Sequence, residues 1–381
     1  MKRNMSTLTR LSTPTTLKGT AFAAQLHTAA LYIGSVIQFQ SEWKKYEWLL
    51  PIIDVDVPLG IEIEVENIVT SFPLPGFIAS KVDNSLRNNG VEFTTVPLKP
   101  KELYQGLVLL WLMMDKVNKR KKPDFSWRVS DHLHVDINSL TEEQFQVFLI
   151  LGIVFERLLF AMSKEERNQS VFCVPVGESN VVEFLSKYLK GQKPLTFLVQ
   201  SWPKYTAIHL GRMFENPDLG PALGTVEFRH QSGTKNLEHL FIWIALILRL
   251  YEYARNISME NLTESISSMN SPQQYQQFMS AVLTPALMEK FLVKDYNKLF
   301  ANQVATAKRI LLKPVEPKGT AKSSLAIFIS KDIKKNEERF QREKAHQEKL
   351  KKQFPDPITW TTASVGSWND FVILDSSEGE I

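Results

Sequence analysis

The sequence predicts an α+β fold in which helices cover the apolar face of an antiparallel or mixed sheet. Four short segments alternate apolar residues with acidic, His or Arg residues, which is the pattern of a strand whose two faces differ. Long apolar helical segments separate these strands, but their spacing is too irregular for repeated parallel βαβ units. The four alternating segments are residues 60–66, 90–98, 130–136 and 224–230.

Helices and strands are mixed through the first half of the chain. Apolar residues at helical spacing predict helices at 17–39, 82–88 and 101–117, and from about 139 to 163. The last of these begins at Ser139 or Thr141, either of which can cap it ahead of the acidic residues in its first turn. Alternation and the turn signal Asn88-Asn89-Gly90 predict strands at 59–67, 90–98 and 127–138.

The second half contains two further long helices and a pair of strands. Helices are predicted at 180–189 and 236–254, an extended segment at 194–202, and paired strands at 206–212 and 223–231. The signals weaken after residue 257, where a helix at 285–299 and a mixed-charge helix within 321–354 precede an aromatic and acidic tail. We therefore expect four regions: an N-terminal extension with a helix (1–54), a core (55–256), a helical C-terminal part (257–320), and the charged helix with the tail (321–381).

Composition and charge limit the class of protein. At 381 residues the chain is longer than one small core needs, and its net charge of +4 is too weak to predict a nucleic-acid partner. Gln25 and His27 interrupt the apolar stretch 20–39, so no membrane span is expected, and we recognise no secretory signal. The single cysteine, Cys173, excludes an internal disulfide and favours a reducing compartment. These features predict a cytoplasmic protein.

The polar face of the predicted sheet concentrates carboxylates, imidazoles and a guanidinium. Successive strand residues point to opposite faces, so Glu62 and Glu64 share one face, and the same alternation selects one face of each other strand. Adjacent strands would bring together Glu62, Glu64, Glu92, His132, His134, Asp136, Glu227 and Arg229.

Such a cluster of carboxylates needs a counter-ion. Two carboxylates about 4 Å apart repel by roughly 4 kcal/mol at an effective dielectric constant of about 20. Oxygen ligands with one imidazole suit Mg²⁺ or Mn²⁺ better than Zn²⁺, which prefers Cys and several His ligands. Mg²⁺ is usually bound by a few carboxylates together with substrate phosphates. The sheet therefore indicates an enzyme that uses a nucleotide.

Several motifs occur in a fixed order between about residues 55 and 255. They are a G-x-E-x-E strand from Gly60, a strand with Glu92 leading to Pro97-Leu98, an H-x-H-x-D strand from His132, the pair Lys204-Tyr205, a T-x-E-F-R strand from Thr225, and the pair Gly233-Thr234. In this order they resemble the amidoligase family, whose members are relatives of glutamine synthetase and glutamate–cysteine ligase. The chain departs from the family at His209, where the family often has Asn.

The resemblance implies a glutamine synthetase-like catalytic core at 55–256. Its sheet would be curved and mostly antiparallel, with helices on the convex face and the metal and ATP groups on the concave face. The implied ligands of two or more Mg²⁺ or Mn²⁺ ions are Glu62, Glu64, Glu92, His134 and Glu227. The implied contacts to ATP or to the substrate carboxylate are His132, Lys204, Arg212 and Arg229. Asp136 or Glu66 would accept the proton of the amine.

The function implied by this resemblance is an ATP- and Mg²⁺-dependent carboxylate–amine ligase. ATP would convert a carboxylate into an acyl phosphate, Arg229 would offset charge on the transferring phosphoryl group, and an amine would displace phosphate to form an amide or isopeptide bond. The expected substrates are small-molecule or peptide carboxylates and amines.

Two other functions remain open at the level of sequence. The first is a metal-dependent hydrolase that uses the Glu and His residues around a two-metal centre. The second is a ligase-like fold without catalysis that serves in assembly, with a protein partner for the C-terminal helix and tail. Structural alternatives also exist: Glu227 and Arg229 could form a cross-strand ion pair, and Lys204, His209 and Arg212 could lie on the surface.

Overall fold

Six antiparallel strands form one sheet in the computed structural model of the protein. The strands are β1 (Leu59–Val65), β2 (Ile78–Val82), β3 (Val91–Thr95), β4 (Ser130–Asp136), β5 (Ile208–His209) and β6 (Thr225–Ser232). Their order across the sheet is β2-β3-β1-β4-β6-β5, and each neighbouring pair is antiparallel. The structure describes residues 19–32, 36–68, 74–88, 90–118, 122–163, 167–214, 222–290 and 296–312. The charged helix and tail predicted at 321–381 lie outside these residues.

Helices account for most of the remaining described chain. Before β4 they are α1 (Gly19–Tyr32), α2 (Val36–Lys44), α3 (Leu50–Ile53) and α4 (Pro100–Val117). Between β4 and β6 they are α5 (Glu142–Val154), α6 (Glu156–Ala161), α7 (Val181–Leu189) and α8 (Leu195–Gln200). After β6 they are α9 (Leu237–Asn256), α10 (Met259–Ser268), α11 (Pro272–Val282), α12 (Pro285–Lys290) and α13 (Tyr296–Leu311). None of the helices in the described residues has both the length and the apolar run that crossing a membrane requires.

The apolar face of the sheet is buried against helices. Ile61, Ile63 and Val65 alternate along β1 with the more exposed Gly60, Glu62 and Glu64, and the apolar members are almost fully buried. On β6, the ring of Phe228 lies 5.5 Å from the ring of Phe148 on α5. Burying one such side chain contributes roughly 1.5–3 kcal/mol, so this packing fixes which face each strand turns to the helices.

The N-terminal and C-terminal helices share the core that covers the sheet. One continuous cluster of buried apolar residues runs from Phe22 to Ile310. The Tyr275 hydroxyl of α11 donates a hydrogen bond of 2.9 Å to the Val154 carbonyl at the end of α5. The Ser186 hydroxyl of α7 donates one of 2.9 Å to the Ile310 carbonyl of α13. The four-region division made from the sequence stays a prediction.

Several sequence-based predictions agree with the structure. The class is α+β with an antiparallel sheet, as predicted, while the curvature of the sheet stays a prediction. The helix predicted at 101–117 is α4, and the strands predicted at 206–212 and 223–231 pair as β5 and β6. Thr141 is the cap of α5: its hydroxyl accepts a hydrogen bond from the Gln144 amide at 3.2 Å, and the Gln144 side chain accepts one from the Thr141 amide.

Two local predictions were wrong. The segment 82–88 is a turn and not a helix, because the Asp83 carboxylate accepts a hydrogen bond of 2.8 Å from the Ser85 amide and holds the backbone in a non-helical path. The segment 194–202 is not extended, because it contains α8. Pro194 stands at the N-cap of that helix, where the missing amide proton costs nothing.

One predicted helix is divided, and two others include residues outside the described chain. Residues 139–163 form α5 and α6, separated at Phe155, and at this break Glu156 becomes fully buried and accepts a 2.7 Å hydrogen bond from the Val176 amide. The helix predicted at 17–39 appears as α1 and α2, with residues 33–35 outside the described chain. The helix predicted at 285–299 begins as α12. Residues 291–295 lie outside the described chain, and α13 begins at Tyr296.

Candidate functional site

A cavity of about 590 Å³ lies over the polar face of the sheet. Strands β1 to β6 all contribute to its wall, together with the turn after β2 and the segments around residues 167–172 and 204–212. Six of the carboxylate and imidazole side chains predicted from the sequence line it: Glu62, Glu64, Glu92, His132, His134 and Glu227. Three predicted cationic side chains, Lys204, Arg212 and Arg229, line it too. Their chemical roles stay predictions.

The first acidic cluster contains Glu64, Asp83 and Glu92. Glu64 and Glu92 are direct partners in the register of β1 and β3, and one carboxylate oxygen from each of the three residues lies within 4.8 Å of the others. Burial raises the pKa of Glu64 to about 7. Burial, followed by repulsion from Glu62, raises the pKa of Glu92 to about 7. Without a cation, this cluster holds its charge at an energetic cost.

Neighbouring side chains hold both glutamates of this cluster in fixed orientations. The amide and the hydroxyl of Ser130 donate hydrogen bonds of 2.7 and 2.8 Å to Oε2 of Glu64. Thr94 donates one of 3.2 Å to Oε1 of Glu92, and Lys81 forms an ion pair of 2.8 Å with the same oxygen. Within the described part of the chain, no residue forms a hydrogen bond with Oε1 of Glu64 or Oε2 of Glu92. Each carboxylate therefore has one oxygen available for a ligand.

The second cluster contains Glu62, His132 and Glu227. His132 is the register partner of Glu62, and its Nδ1 lies 3.1 Å from Glu62 Oε2 and 3.4 Å from Glu227 Oε1. His134 faces Glu227 across β4 and β6, and its Nε2 lies 3.3 Å from Glu62 Oε1. One ligand atom from each of Glu62, His132 and Glu227 lies within 4.8 Å of the others.

The charge states of this second cluster differ from those of the first. Burial opposes ionisation of Glu62 and Glu227, but hydrogen bonds from His132 and His134 hold the pKa of Glu62 below its usual range. Attraction by Arg229 and a hydrogen bond from His209 hold the pKa of Glu227 well below its usual range. Burial, followed by repulsion from Arg229, lowers the pKa of His132 to about 4, so its imidazole is neutral at pH 7 and able to act as a ligand.

Glu227 is held from two sides. Arg229 Nη1 donates a short hydrogen bond to Glu227 Oε1, and His209 Nδ1 lies 2.9 Å from Glu227 Oε2. His209 is the register partner of Glu227 on β5. His209 is therefore in the cavity wall and orients one of the predicted metal ligands.

Six cationic side chains line the same cavity as the two clusters, and we call them the cationic rim. Besides Lys81, Arg229 and the predicted Lys204 and Arg212, the cavity is lined by Arg128 and Arg167. Arg167 is 3% exposed and donates hydrogen bonds of 3.1 and 2.8 Å to the Arg229 carbonyl. Arg128 donates one of 2.6 Å to the Ser85 carbonyl. These contacts fix guanidinium groups beside the acidic clusters and favour binding of an anion.

Two adjacent basic residues of β6, Arg229 and His230, lie on opposite faces of the sheet, as alternation along a strand predicts. The register shifts between Asp131 and Leu133, so that one residue of β4 faces two of β6. Arg229 lines the cavity, whereas His230 is fully buried, with its ring 4.8 Å from the ring of Phe160. Arg229 therefore shares the face of Glu227, and His230 shares the opposite, apolar face with Phe228.

Two predicted site residues lie outside the cavity. Glu66 is fully buried at the end of β1, where it accepts a 2.8 Å hydrogen bond from the Arg87 amide and forms an ion pair of 2.8 Å with the Arg87 guanidinium. Asp136 is at the far end of β4, and its carboxylate accepts a 2.7 Å hydrogen bond from the Asn138 amide. Both carboxylates stabilise turns in this structure. They were predicted in the site because strand alternation gives the face of a residue but not its distance from the centre of the sheet.

The sequence-based argument missed several residues of the cavity wall, above all Asp83 and Lys81. Lys81 lies directly opposite Glu92 on β2, and Asp83 follows that strand. The predicted helix at 82–88 concealed this strand end. Arg128 and Arg167 carried no recognisable signal, since each reaches the cavity only through the folding of distant segments. Ser130 was detectable, because it precedes His132 by two residues on the same strand and therefore shares its face. His209 was considered, but as a surface or structural residue.

Comparisons with known proteins found one weak structural similarity. No protein-family model and no curated protein matches the chain. Among solved structures, the chain is similar to one described as a novel glutamine synthase homolog, with 11% sequence identity over 77% of this chain and 74% of that chain. The TM-score of this pair is 0.33, which is too low to support an argument.

Proposed function

We propose that the protein is an ATP- and Mg²⁺-dependent ligase that joins a carboxylate to an amine. The observation that carries this proposal is the pair of acidic clusters in one cavity, Glu64 with Asp83 and Glu92, and Glu62 with His132 and Glu227. Both are placed by the register of neighbouring strands and both lie inside the same cationic rim.

The residues of the two clusters fit divalent cations. The first offers three carboxylates, which suits Mg²⁺, and the second offers two carboxylates with one neutral imidazole, which suits Mg²⁺ or Mn²⁺. Glu64 and Glu92 each keep one oxygen available, and their raised pKa values are expected of crowded, buried carboxylates that a divalent cation would stabilise. When bound, the ions would polarise phosphoryl oxygens and offset their charge.

The charge of the cavity suits a nucleoside triphosphate. Its wall contains five carboxylates and six Lys or Arg side chains, so two divalent cations would leave it strongly positive. Arg167 and Arg229 are nearly buried and held by hydrogen bonds, which lets them stabilise charge on a transferring phosphoryl group without reorganising. Lys204 and Arg212 are available for the remaining phosphates or for a substrate carboxylate.

The proposed reaction has two balanced steps. A substrate carboxylate oxygen attacks the γ-phosphorus of ATP while the bond to the β-phosphate oxygen breaks, giving an acyl phosphate and ADP. The amine nitrogen then attacks the acyl carbon, phosphate leaves with the bonding electron pair, and the nitrogen loses one proton. Glu66 and Asp136 are outside the cavity, so we assign neither of them to this proton transfer.

The test is ATP consumption with Mg²⁺ against a panel of carboxylates and amines. We expect ADP release that requires both an acid and an amine, and that is lost in Glu64→Gln and Glu227→Gln. Asp136→Asn is the matched control, since it changes a carboxylate on the strand of His132 and His134 that lies outside the cavity. Failure of the protein to bind or consume ATP with any pair would contradict the proposal.

A metal-dependent hydrolase is the second candidate, and the mixed cluster of Glu62, His132 and Glu227 favours it, because two-metal hydrolases also use carboxylate and imidazole ligands. Hydrolysis has no need of a cationic rim as large as the one around this cavity. Turnover of a phosphoester or an amide without ATP would support this candidate over the ligase.

A further inference from the structure

Two exposed aromatic rings stand at the edge of the cavity. Phe172 is 47% exposed and Tyr205 is 39% exposed, and both line the cavity that contains the acidic clusters. They are the only aromatic side chains among the exposed large hydrophobic residues in the described ranges. Their ring centroids are 5.5 Å apart and their planes meet at 84°. Phe172 and Tyr205, which we call the aromatic pair, thus present an apolar ring face beside a charged cavity.

Backbone hydrogen bonds join the two segments that carry the rings. The Val174 amide donates a hydrogen bond of 2.7 Å to the Tyr205 carbonyl, and the Ala207 amide donates one of 2.8 Å to the Val174 carbonyl. The segments that carry Phe172 and Tyr205 are therefore joined next to the rings. A surface fixed in this way loses little conformational entropy when a flat ligand binds to it.

The aromatic pair is connected to the charged groups by single residues. Arg229 Nε donates a hydrogen bond of 3.4 Å to the Phe172 carbonyl, while Nη1 of the same guanidinium bonds Glu227 in the second acidic cluster. The Lys204 ammonium lies 5.5 Å from the centroid of the Tyr205 ring. An apolar ring surface, a cationic rim and the acidic clusters thus follow one another within one cavity.

We propose that the aromatic pair binds the base of the nucleotide by stacking, with the triphosphate extending over the cationic rim towards the acidic clusters. This inference rests on the proposed function and assigns the base to two residues of this chain. A planar base is the occupant that matches both the apolar ring face and a polyanion-binding surface directly beside it. Because Lys204 already lies over Tyr205, Phe172 offers the more open face and carries more of the interaction.

The experiment compares two ligands that share a triphosphate and differ in the base. Affinity is measured calorimetrically for MgATP and for magnesium tripolyphosphate, with the unaltered protein and with Phe172→Ala and Tyr205→Ala. We expect Phe172→Ala to weaken MgATP binding by roughly 5- to 150-fold, the range for loss of one base–aromatic stack. Magnesium tripolyphosphate should bind all three proteins alike, and MgGTP should weaken in parallel with MgATP because stacking tolerates any base.

Matched variants separate stacking from a general defect. Phe172→Tyr and Tyr205→Phe keep the rings and should retain MgATP affinity, and thermal melting of each variant confirms that it folds. Unchanged MgATP affinity in Phe172→Ala, or an equal loss for both ligands, would overturn the inference while leaving the ligase proposal in place. Failure of the unaltered protein to bind either ligand would overturn the proposed function and, with it, this inference.

Discussion

Glu64 and Glu92 form a pair whose charges are costly to keep together in the fold. Their carboxylates are opposed in neighbouring strands, where like charges destabilise a sheet, and Asp83 adds a third. Lys81 offsets one charge, yet the pKa values of both glutamates remain at about 7. A neutral pair at these two positions would make the fold more stable, so stability alone does not account for the two glutamates.

The raised pKa of Glu92 predicts how the stability of the metal-free protein depends on pH. The folded state binds the proton more tightly than the unfolded state, so the stabilising contribution is complete below the unfolded pKa of about 4.5 and is lost as pH rises through about 7. When a chelator is present, the free energy of unfolding of the unaltered protein should fall between pH 5 and pH 8. We expect this fall to be smaller in Glu92→Gln, by up to about 3 kcal/mol.

Denaturant unfolding at a series of pH values checks this prediction. Added Mg²⁺ should remove most of the difference between the two proteins at pH 8, because a cation replaces the lost protons only where the carboxylate is present. An identical pH dependence of the unfolding free energy for the two proteins in chelator would show that Glu92 does not have a raised pKa in the folded state.

Single-residue patterns in the sequence predict the face of a side chain and miss what depends on distant contacts. Alternation correctly selects Glu62, Glu64, His132 and His134, because their strands are regular between the paired positions. It cannot distinguish Glu66, which continues the same alternation yet is covered by the turn that contains Arg87. Asp83 reaches the cavity from a turn, and its place depends on the pairing of β2 with β3.

At the scale of elements, the entry of the chain into β6 is the feature that places Glu227 and Arg229. Gly224 immediately precedes this strand with a φ of 64°, in the region that favours glycine. A Cβ there would lie 2.4 Å from Nδ2 of Asn138. The Gly224 carbonyl also accepts a 3.0 Å hydrogen bond from the Ile137 amide, which ties the start of β6 to the end of β4.

Gly224→Ala should therefore destabilise the fold by about 1–3 kcal/mol and also reduce activity. The matched control is Gly191→Ala, which has a similar φ of 67° but no atom within 4 Å of the added Cβ. We expect the control to lose about 1 kcal/mol and to keep its activity. Thermal melting and ATP turnover of the two variants provide the comparison, and equal effects would refute a specific role for the entry to β6.

Elements were predictable from the sequence where their own residues determine them. The apolar spacing in α4 and α9 and the capping residues of α5 are local. As a result α4 and α9 are close to their predicted bounds, and α5 begins at a predicted cap. Pro194 is compatible with an extended chain and with the start of a helix. The sequence does not distinguish these two conformations, and in the structure Pro194 starts α8. The break at Phe155 accompanies burial of Glu156 against the segment after Pro175, which no local pattern indicates.

At the scale of the whole molecule, the C-terminal helices belong to the core that supports the site. Tyr275 bonds the end of α5, and the ring of Phe278 lies 6.0 Å from that of Phe155. Ending the chain at Asn256 would remove these groups from the helix that packs on Phe228 of β6. We expect the shortened chain to lose cooperative unfolding, because its remaining apolar surface would be left exposed.

A chain that ends at Leu312 is the control for this truncation, since it keeps every helix of the described residues. Circular dichroism melting should show one cooperative transition for the longer chain and none for the shorter one. A cooperative transition with an unchanged midpoint in the shorter chain would instead show that the rest of the fold does not need residues 257–312.

The most direct measurement of the central claim is the number of Mn²⁺ ions bound per chain, determined by electron paramagnetic resonance of the free ion. The two clusters predict two bound ions in the unaltered protein, and one each in Asp83→Asn and Glu62→Gln, which change different clusters. Folding of each variant is verified by thermal melting. Binding of no Mn²⁺, or an unchanged number of ions in both variants, would contradict the claim that these carboxylates form divalent-cation sites.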